Sequence, residues 1–252
     1  MKQTVQFLLV LALGVALAGV ARAELGVFEM VEGKGVEVCE VCFQNIQRYP
    51  ADDAMCQRQY APALGLLAPA WTKLEPLKHL DLLKQAMLLV SPTPEGEIPG
   101  TIFDDDNFQR EVERREKYNG VELALAELDI NNDGRTEPVL KLRDEVCGST
   151  HDLVAFTQVL MVLTHDRKAI DLSKTDLVMQ NARKQPGRPA GAVFEEMYEV
   201  FQYKGQLFFD KWDLSAFERD TFSIYLAVKD KVTQLCKFRY DRYKERTSGG
   251  AQ

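Results

Sequence analysis

The sequence predicts an α+β chain, with a helical, cysteine-bearing N-terminal part followed by an antiparallel β-sheet. Three observations carry this. Leu74, Leu77, Leu80, Leu83 and Met87 recur at helical spacing in the N-terminal part. Beyond Gly120 the period changes to the alternation of half-buried strands. Between the two lies a breaker cluster, Ser91-Pro92-Thr93-Pro94-Glu95-Gly96 followed by Pro99-Gly100. Together they divide the chain into a signal peptide (1–23), a helical disulfide-containing region (24–91), a linker with a surface helix (92–120), a β-rich domain (121–246) and a flexible tail (247–252).

The first segment has the three parts of a secretory leader. Lys2 supplies the positive end, Val5 to Val20 is apolar except for Gln6, Gly14 and Gly19, and Ala21-Arg22-Ala23 is a small-residue cleavage site before Glu24. The apolar core is shorter than the roughly 20 residues a membrane span needs. No later segment is apolar enough to span, so the expected location is periplasmic or secreted. Cleavage removes Lys2 and Arg22 and no acid, taking the formal charge from −7 to −9. A chain this acidic lacks the basic surface that phosphate contacts require, which excludes nucleic acid as a partner.

In an oxidising compartment the five cysteines are read first as disulfide candidates. Cys39, Cys42 and Cys56 lie close together in the chain, and Cys147 and Cys236 follow far apart. Proximity pairs Cys56 with Cys39 or Cys42, and Cys147 with Cys236, leaving one thiol. Cys39-Glu40-Val41-Cys42 is followed by Phe43, where covalent haem needs His. No βαβ pattern surrounds it, as a redox C-x-x-C would require. Zinc on Cys39, Cys42 and Cys56 would lack a near fourth ligand, His79 being the closest histidine. A structural disulfide is the preferred reading.

Helix is expected across 36–90, with Thr72-Lys73-Leu74-Glu75 as a capping box and Pro76 in the first turn. A polar helix follows from the acids Asp104 to Asp106. Phe108 and Val112 share its one apolar face, and Asn119-Gly120 stops it. Residues 121–128 and 139–142 are then predicted strands. Residues 151–164 fit either a strand or a helix, and Arg183 to Pro189 is a loop. Met197 to Tyr203 and Gln206 to Trp212, joined by Lys204-Gly205, form an aromatic hairpin. Phe222 to Val228 and Val232 to Tyr240 form another.

The most informative stretch connects the first two strands. Asp129-Ile130-Asn131-Asn132-Asp133-Gly134-Arg135-Thr136-Glu137 sets side-chain oxygens at loop positions 1, 3, 5 and 9 and Gly at position 6. Calcium takes six to eight oxygens, and alternate short acids around a glycine turn can supply them, with the Arg135 carbonyl adding one more. An EF-hand is excluded, because position 12 is Leu140 rather than Glu and the flanks are strands. The nine-residue pattern instead resembles the calcium loops of FG-GAP or VCBS repeats, found in β-propeller units. The resemblance covers residues 121–142 only, and one copy does not imply a propeller. The metal candidates are therefore Asp129, Asn131, Asp133, Arg135 and Glu137. The competing reading is a bare turn, since Asn-Asp-Gly is itself a turn signal.

Val38-Cys39-Glu40-Val41-Cys42 with Cys56 and Trp71, then Asp129 to Gly134, then Tyr198 to Gly205 with Phe209-Asp210, also resemble in order and type a group of secreted or periplasmic proteins of Gram-negative bacteria with no assigned activity. That resemblance implies an envelope location and a shared fold, and no substrate.

Catalytic constellations are sparse. His151-Asp152 and His165-Asp166 are chain neighbours, whose side chains on a strand diverge. Ser149 near His151 is the only hydrolase hint, and Glu195-Glu196 or Asp210 with Asp213 could supply paired carboxylates, in a chain where acids are abundant. None of the usual nucleophile-elbow, zinc-protease or phosphate-loop strings occurs. The expected function is a non-catalytic binding or inhibitory module for an envelope protein or glycan. Its surface would be the aromatic hairpin Tyr198 to Trp212, or the last strand, where Lys237 and Arg239 alternate with Phe238 and Tyr240. A periplasmic hydrolase, or a thiol protein using Cys39 and Cys42, is the alternative.

Overall fold

A computed structural model describes residues 28–48, 58–90, 104–118, 120–144, 157–179, 196–213 and 221–240. The predicted leader, the 91–100 breaker cluster, the predicted 183–189 loop and tail, Cys56, Cys147, Ser149, His151 and Glu195 lie outside the described residues. The chain is mixed α and β. In order come β1 (Phe28–Glu32), α1 (Glu37–Ile46), β2 (Leu66–Leu67), β3 (Thr72–Leu74), α2 (Leu80–Val90) and α3 (Asp105–Lys117). Then follow β4 (Val121–Leu128), β5 (Glu137–Asp144), β6 (Thr157–Val162), α4 (Leu172–Val178), β7 (Glu196–Tyr203), β8 (Gln206–Asp213), β9 (Thr221–Val228) and β10 (Lys231–Tyr240).

All ten strands join one sheet, ordered β1-β10-β9-β8-β7-β6-β5-β4-β3, with β2 added on β7. The predicted C-terminal sheet is present and antiparallel except at one joint, where β6 and β7 run parallel. The expected helical N-terminal region is only partly so, since α1 and α2 share it with strands. Residues 28–74 contribute three strands, and β1 closes one end of the sheet by pairing with β10. The predicted capping box is instead β3, with Thr72 opposite Leu125. Ladder hydrogen bonds to β4 outweigh the local cap, and a tight turn at Pro76–His79 then delays the helix to Leu80. The leucine stripe shifts accordingly: Leu82, Leu83 and Ala86 are buried, while Leu77 is exposed.

The predicted hairpins form in register. Lys204 (φ 50°) and Gly205 (φ 76°) make a two-residue turn in the left-handed region, which sets Tyr203 opposite Gln206 and matches strand twist. The segment 157–162 resolves as strand β6. Helix α4 was not foreseen; its Asp171 N-cap accepts the Lys174 backbone N–H at 3.1 Å.

Strands β7 and β8 bury both faces. Tyr198, Val200, Leu207 and Phe209 join a core with α2, α3, α4 and β4 to β6. Met197, Phe201, Phe208 and Trp212, alternating with them, join a second core with β1, α1, β9 and β10. The second is rich in ring contacts, with Phe222 stacked on Phe238 at 4.7 Å and on Trp212 at 5.5 Å. The aromatic side chains of this hairpin are therefore core. On β10, Phe238 is fully buried and Arg239 is exposed, which is ordinary sheet packing.

The cysteine pairing also departs from expectation. Cys39 on α1 bonds Cys236 on β10, with Cα atoms 5.6 Å apart. Proximity along the chain misled, because β1 carries α1 back to the last strand. Gly33 lets this happen: a Cβ there would stand 2.7 Å from both Cys39 Sγ and the Leu235 carbonyl oxygen, and its φ is +94°. Cys42, one turn on, is buried and unbridged. Proteolysis of the unreduced protein should release a peptide linking Cys39 to Cys236. The Cys39→Ala/Cys236→Ala variant should lose about 2–5 kcal/mol in urea unfolding, whereas a Cys147–Cys236 peptide would contradict this bridge.

Candidate functional site

Two places in the described residues concentrate chemistry, and the first is the β4–β5 loop. Asp129 folds it, its two carboxylate oxygens accepting the backbone N–H groups of Asp133 and Gly134, each at 2.9 Å. Asp133 Oδ1 accepts the Arg135 N–H at 2.9 Å, while Asp133 Oδ2 accepts from Asn131 Nδ2 at 3.1 Å. The Arg135 N–H, then Asn131, with the nearby positive charges of Arg135 and Lys174, hold the Asp133 carboxyl below its usual range. Glu137 is buried. One of its oxygens accepts the Ile130 N–H at 3.4 Å, and the other pairs with the Lys174 ammonium at 3.0 Å.

Asn132 clamps this loop to the rest of the sheet. With φ 52° it occupies the left-handed region. Its amide donates to the carbonyls of Leu207 and Ala227, at 3.1 and 2.9 Å, and accepts the Leu207 N–H at 2.8 Å. The Lys229 N–H adds a bond to the Asn131 carbonyl at 2.9 Å. The turns of three hairpins, β4–β5, β7–β8 and β9–β10, therefore meet at one end of the sheet.

Asn131 Oδ1 stands out in this arrangement. It is buried and has no hydrogen-bond partner, alone in this respect among the side-chain nitrogen and oxygen atoms of the described residues. Turning the amide over would face an oxygen to the Asp133 carboxylate, so the donor contact fixes the orientation. Buried acceptors are nearly always satisfied, by protein, water or an ion. Among the described residues no three His, Cys, Asp or Glu side chains stand together as a metal cluster. Glu137 faces Lys174 while Asp129 and Asp133 hold the loop backbone.

The second place is a buried ionic network. The hairpin register sets Glu199 directly opposite Asp210. Asp210 accepts from Arg58 Nε at 2.9 Å and from the Tyr60 hydroxyl at 2.7 Å. Glu199 accepts from Gln158 at 3.0 Å and pairs with Lys141 at 3.1 Å, whose ammonium lies 4.3 Å from the Trp71 ring centroid. Burial pushes the Glu199 carboxyl up; Lys141 pulls it back in part, and Asp210 adds to the rise. Burial works against the Arg58 charge, but Asp210 and Tyr60 more than offset it. Burial, then Asp210 and Glu199, raise the Tyr60 hydroxyl well above its ordinary range.

The carboxylate that the register sets across from Asp210 is thus Glu199. The signal for it was available, since counting back equally from a two-residue turn at Lys204-Gly205 sets 199 against 210. Nothing in the sequence marked Arg58 or Tyr60. Beside Asp210 a cavity of about 30 Å³ is lined by Cys42, Asn45, Arg58, Tyr60 and Trp212 among others. That holds a water molecule or two, and not a sugar ring. The Cys42 thiol is pushed up by burial and by Asp210, opposite to what a reactive thiol needs. His79 lies in the turn before α2, and His165 in the turn after β6 beside Asp166, which accepts from the Thr164 hydroxyl at 2.6 Å.

Comparison of the chain with protein-family models, with curated proteins and with solved structures finds no match.

Two outcomes test the network. Asp210→Asn leaves the Arg58 guanidinium buried without its countercharge and should cost about 3–5 kcal/mol in denaturant unfolding. Because the Glu199 carboxyl is raised when folded, the unfolded chain ionises it first. Its contribution is then most favourable below the ordinary value of 4.5 and declines as pH rises through the folded value. Subtracting the stability profile of Glu199→Gln from that of the parent should expose this downward slope. A flat difference would contradict the shift.

Proposed function

We propose that the protein is a non-catalytic binding module of the cell envelope, whose β4–β5 loop takes a calcium ion. The observation that carries the reading is Asn131 Oδ1, a buried acceptor without a donor at the third position of an oxygen-rich loop. On this reading Asp129, Asp133 and Glu137, at loop positions 1, 5 and 9, and the Arg135 carbonyl would join it in a donor set made wholly of oxygen, which suits calcium better than zinc or copper.

Export is supported by the leader-like residues 1–23 and by the Cys39–Cys236 bridge, which persists in oxidising compartments. A binding role is supported by the meeting of three hairpin turns, since loops held by a rigid scaffold are where recognition concentrates. The loop residues Asp133 to Thr136, with Lys204, Val228 and Lys229, are exposed at that end and offer mixed charge to an envelope protein or glycan. Against catalysis, every carboxylate oxygen of the buried pair with a described contact is engaged by a neighbouring donor, and the adjoining cavity is water-sized.

A calcium titration of the oxidised protein, followed by melting temperature and heat, tests the reading. With a dissociation constant of about 10⁻⁴ to 10⁻³ M, about 10 mM calcium should add about 1–3 kcal/mol of stability. Asp129→Ala/Asp133→Ala should abolish the response. No response in the parent would reduce the loop to a turn whose orphan oxygen is served by water.

A further inference from the structure

We propose that Lys174 is a resident cation of the β4–β5 loop, which calcium must displace from Glu137 to load the site. The inference rests on the calcium reading above and concerns how that site is regulated. Lys174 lies far from the loop in sequence, on α4, yet its ammonium stands 3.0 Å from Glu137 Oε1. Glu137 is the ninth loop position and, on the calcium reading, one of the carboxylates the ion draws on. A calcium ion and an ammonium group drawing on one carboxylate face each other as like charges at a few ångströms, so occupancy by one disfavours the other.

The backbone that carries Lys174 cannot retreat. Asp171 caps the start of α4 by accepting the Lys174 N–H, and Thr175, fully buried, accepts the Val162 N–H of β6 at 2.9 Å. The side chain is free to move, being 45% exposed, whereas the Glu137 side chain is only 10% exposed. Loading therefore means that the lysine swings to solvent while the carboxylate stays. With no calcium present, Lys174 supplies the positive charge that a buried Glu137 needs, and the Asp129 hydrogen bonds keep the loop shaped. The exchange raises the calcium concentration at which the loop fills, setting it towards the level of extracellular fluids.

The test is calorimetric titration of calcium into the oxidised parent, Lys174→Gln and Lys174→Arg. Lys174→Gln keeps a donor for Glu137 without the charge, so the fold has no buried carboxylate left bare; Lys174→Arg keeps the charge. Lys174→Gln should bind calcium about three- to tenfold more tightly than the parent, and Lys174→Arg within about twofold of it. In the parent, calcium should also raise the rate at which Lys174 is acetylated by a water-soluble ester, read by peptide mass. Equal affinity in parent and Lys174→Gln, with both binding, overturns the exchange and leaves the calcium reading intact. Absence of binding in all three overturns both.

Discussion

Between β6 and β7 the sheet changes from antiparallel to parallel, and among the described residues only Gln158 and Met197 stand in register across the joint. Backbone pairing alone holds such a joint weakly, and the described side chains make up the difference. Gln158 donates to the Tyr198 carbonyl and to Glu199, and Lys141 reaches the same carboxylate from β5. On the far side of Glu199 stands Asp210, held by Arg58 and Tyr60 from the segment before β2. Two buried cation–carboxylate pairs, Lys141 with Glu199 and Arg58 with Asp210, thus stand back to back across β5, β6, β7, β8 and the N-terminal segment. Each carboxylate is tolerable only because its cation and donors are present, since the two carboxylates themselves repel, which ties the joint to this one set of partners.

From that joint the two cores follow. Because β7 and β8 have apolar residues at both parities, helices α2, α3 and α4 cover one side while α1 and β1 cover the other. The network lies where the segments meet, and the β4–β5 loop reaches the far hairpins through Asn132. A change in the loop is therefore felt directly at the ends of β8 and β9.

What could be read from the sequence was local. The hairpins at Lys204-Gly205 and across Lys229-Asp230-Lys231, the turn within Asp129 to Glu137 and the polar helix around Phe108 and Val112 each follow from residues near in the chain. What could not be read depends on residues brought together by topology. Thr72 satisfies a capping pattern but finds a better partner in Leu125, and Cys236 finds Cys39 because β1 pairs with β10. Phe28 and Met30 carry strand alternation too briefly to be told from loop. Lys174 and Arg58 are the plainest cases, since an isolated cation carries no mark of the carboxylate it will meet.

The Cys39–Cys236 bridge has a consequence for biosynthesis. The chain is made from its N-terminus, so Cys42, Cys56 and Cys147 all emerge before Cys236 does. An oxidant that joins cysteines in order of appearance closes Cys39 onto one of these earlier thiols, and β10 then arrives to find its partner taken. Correct oxidation must wait for the last strand or be reshuffled afterwards. The yield of the native bond is in this way governed by thiol exchange, and a host short of disulfide isomerase will accumulate scrambled protein from an otherwise sound sequence.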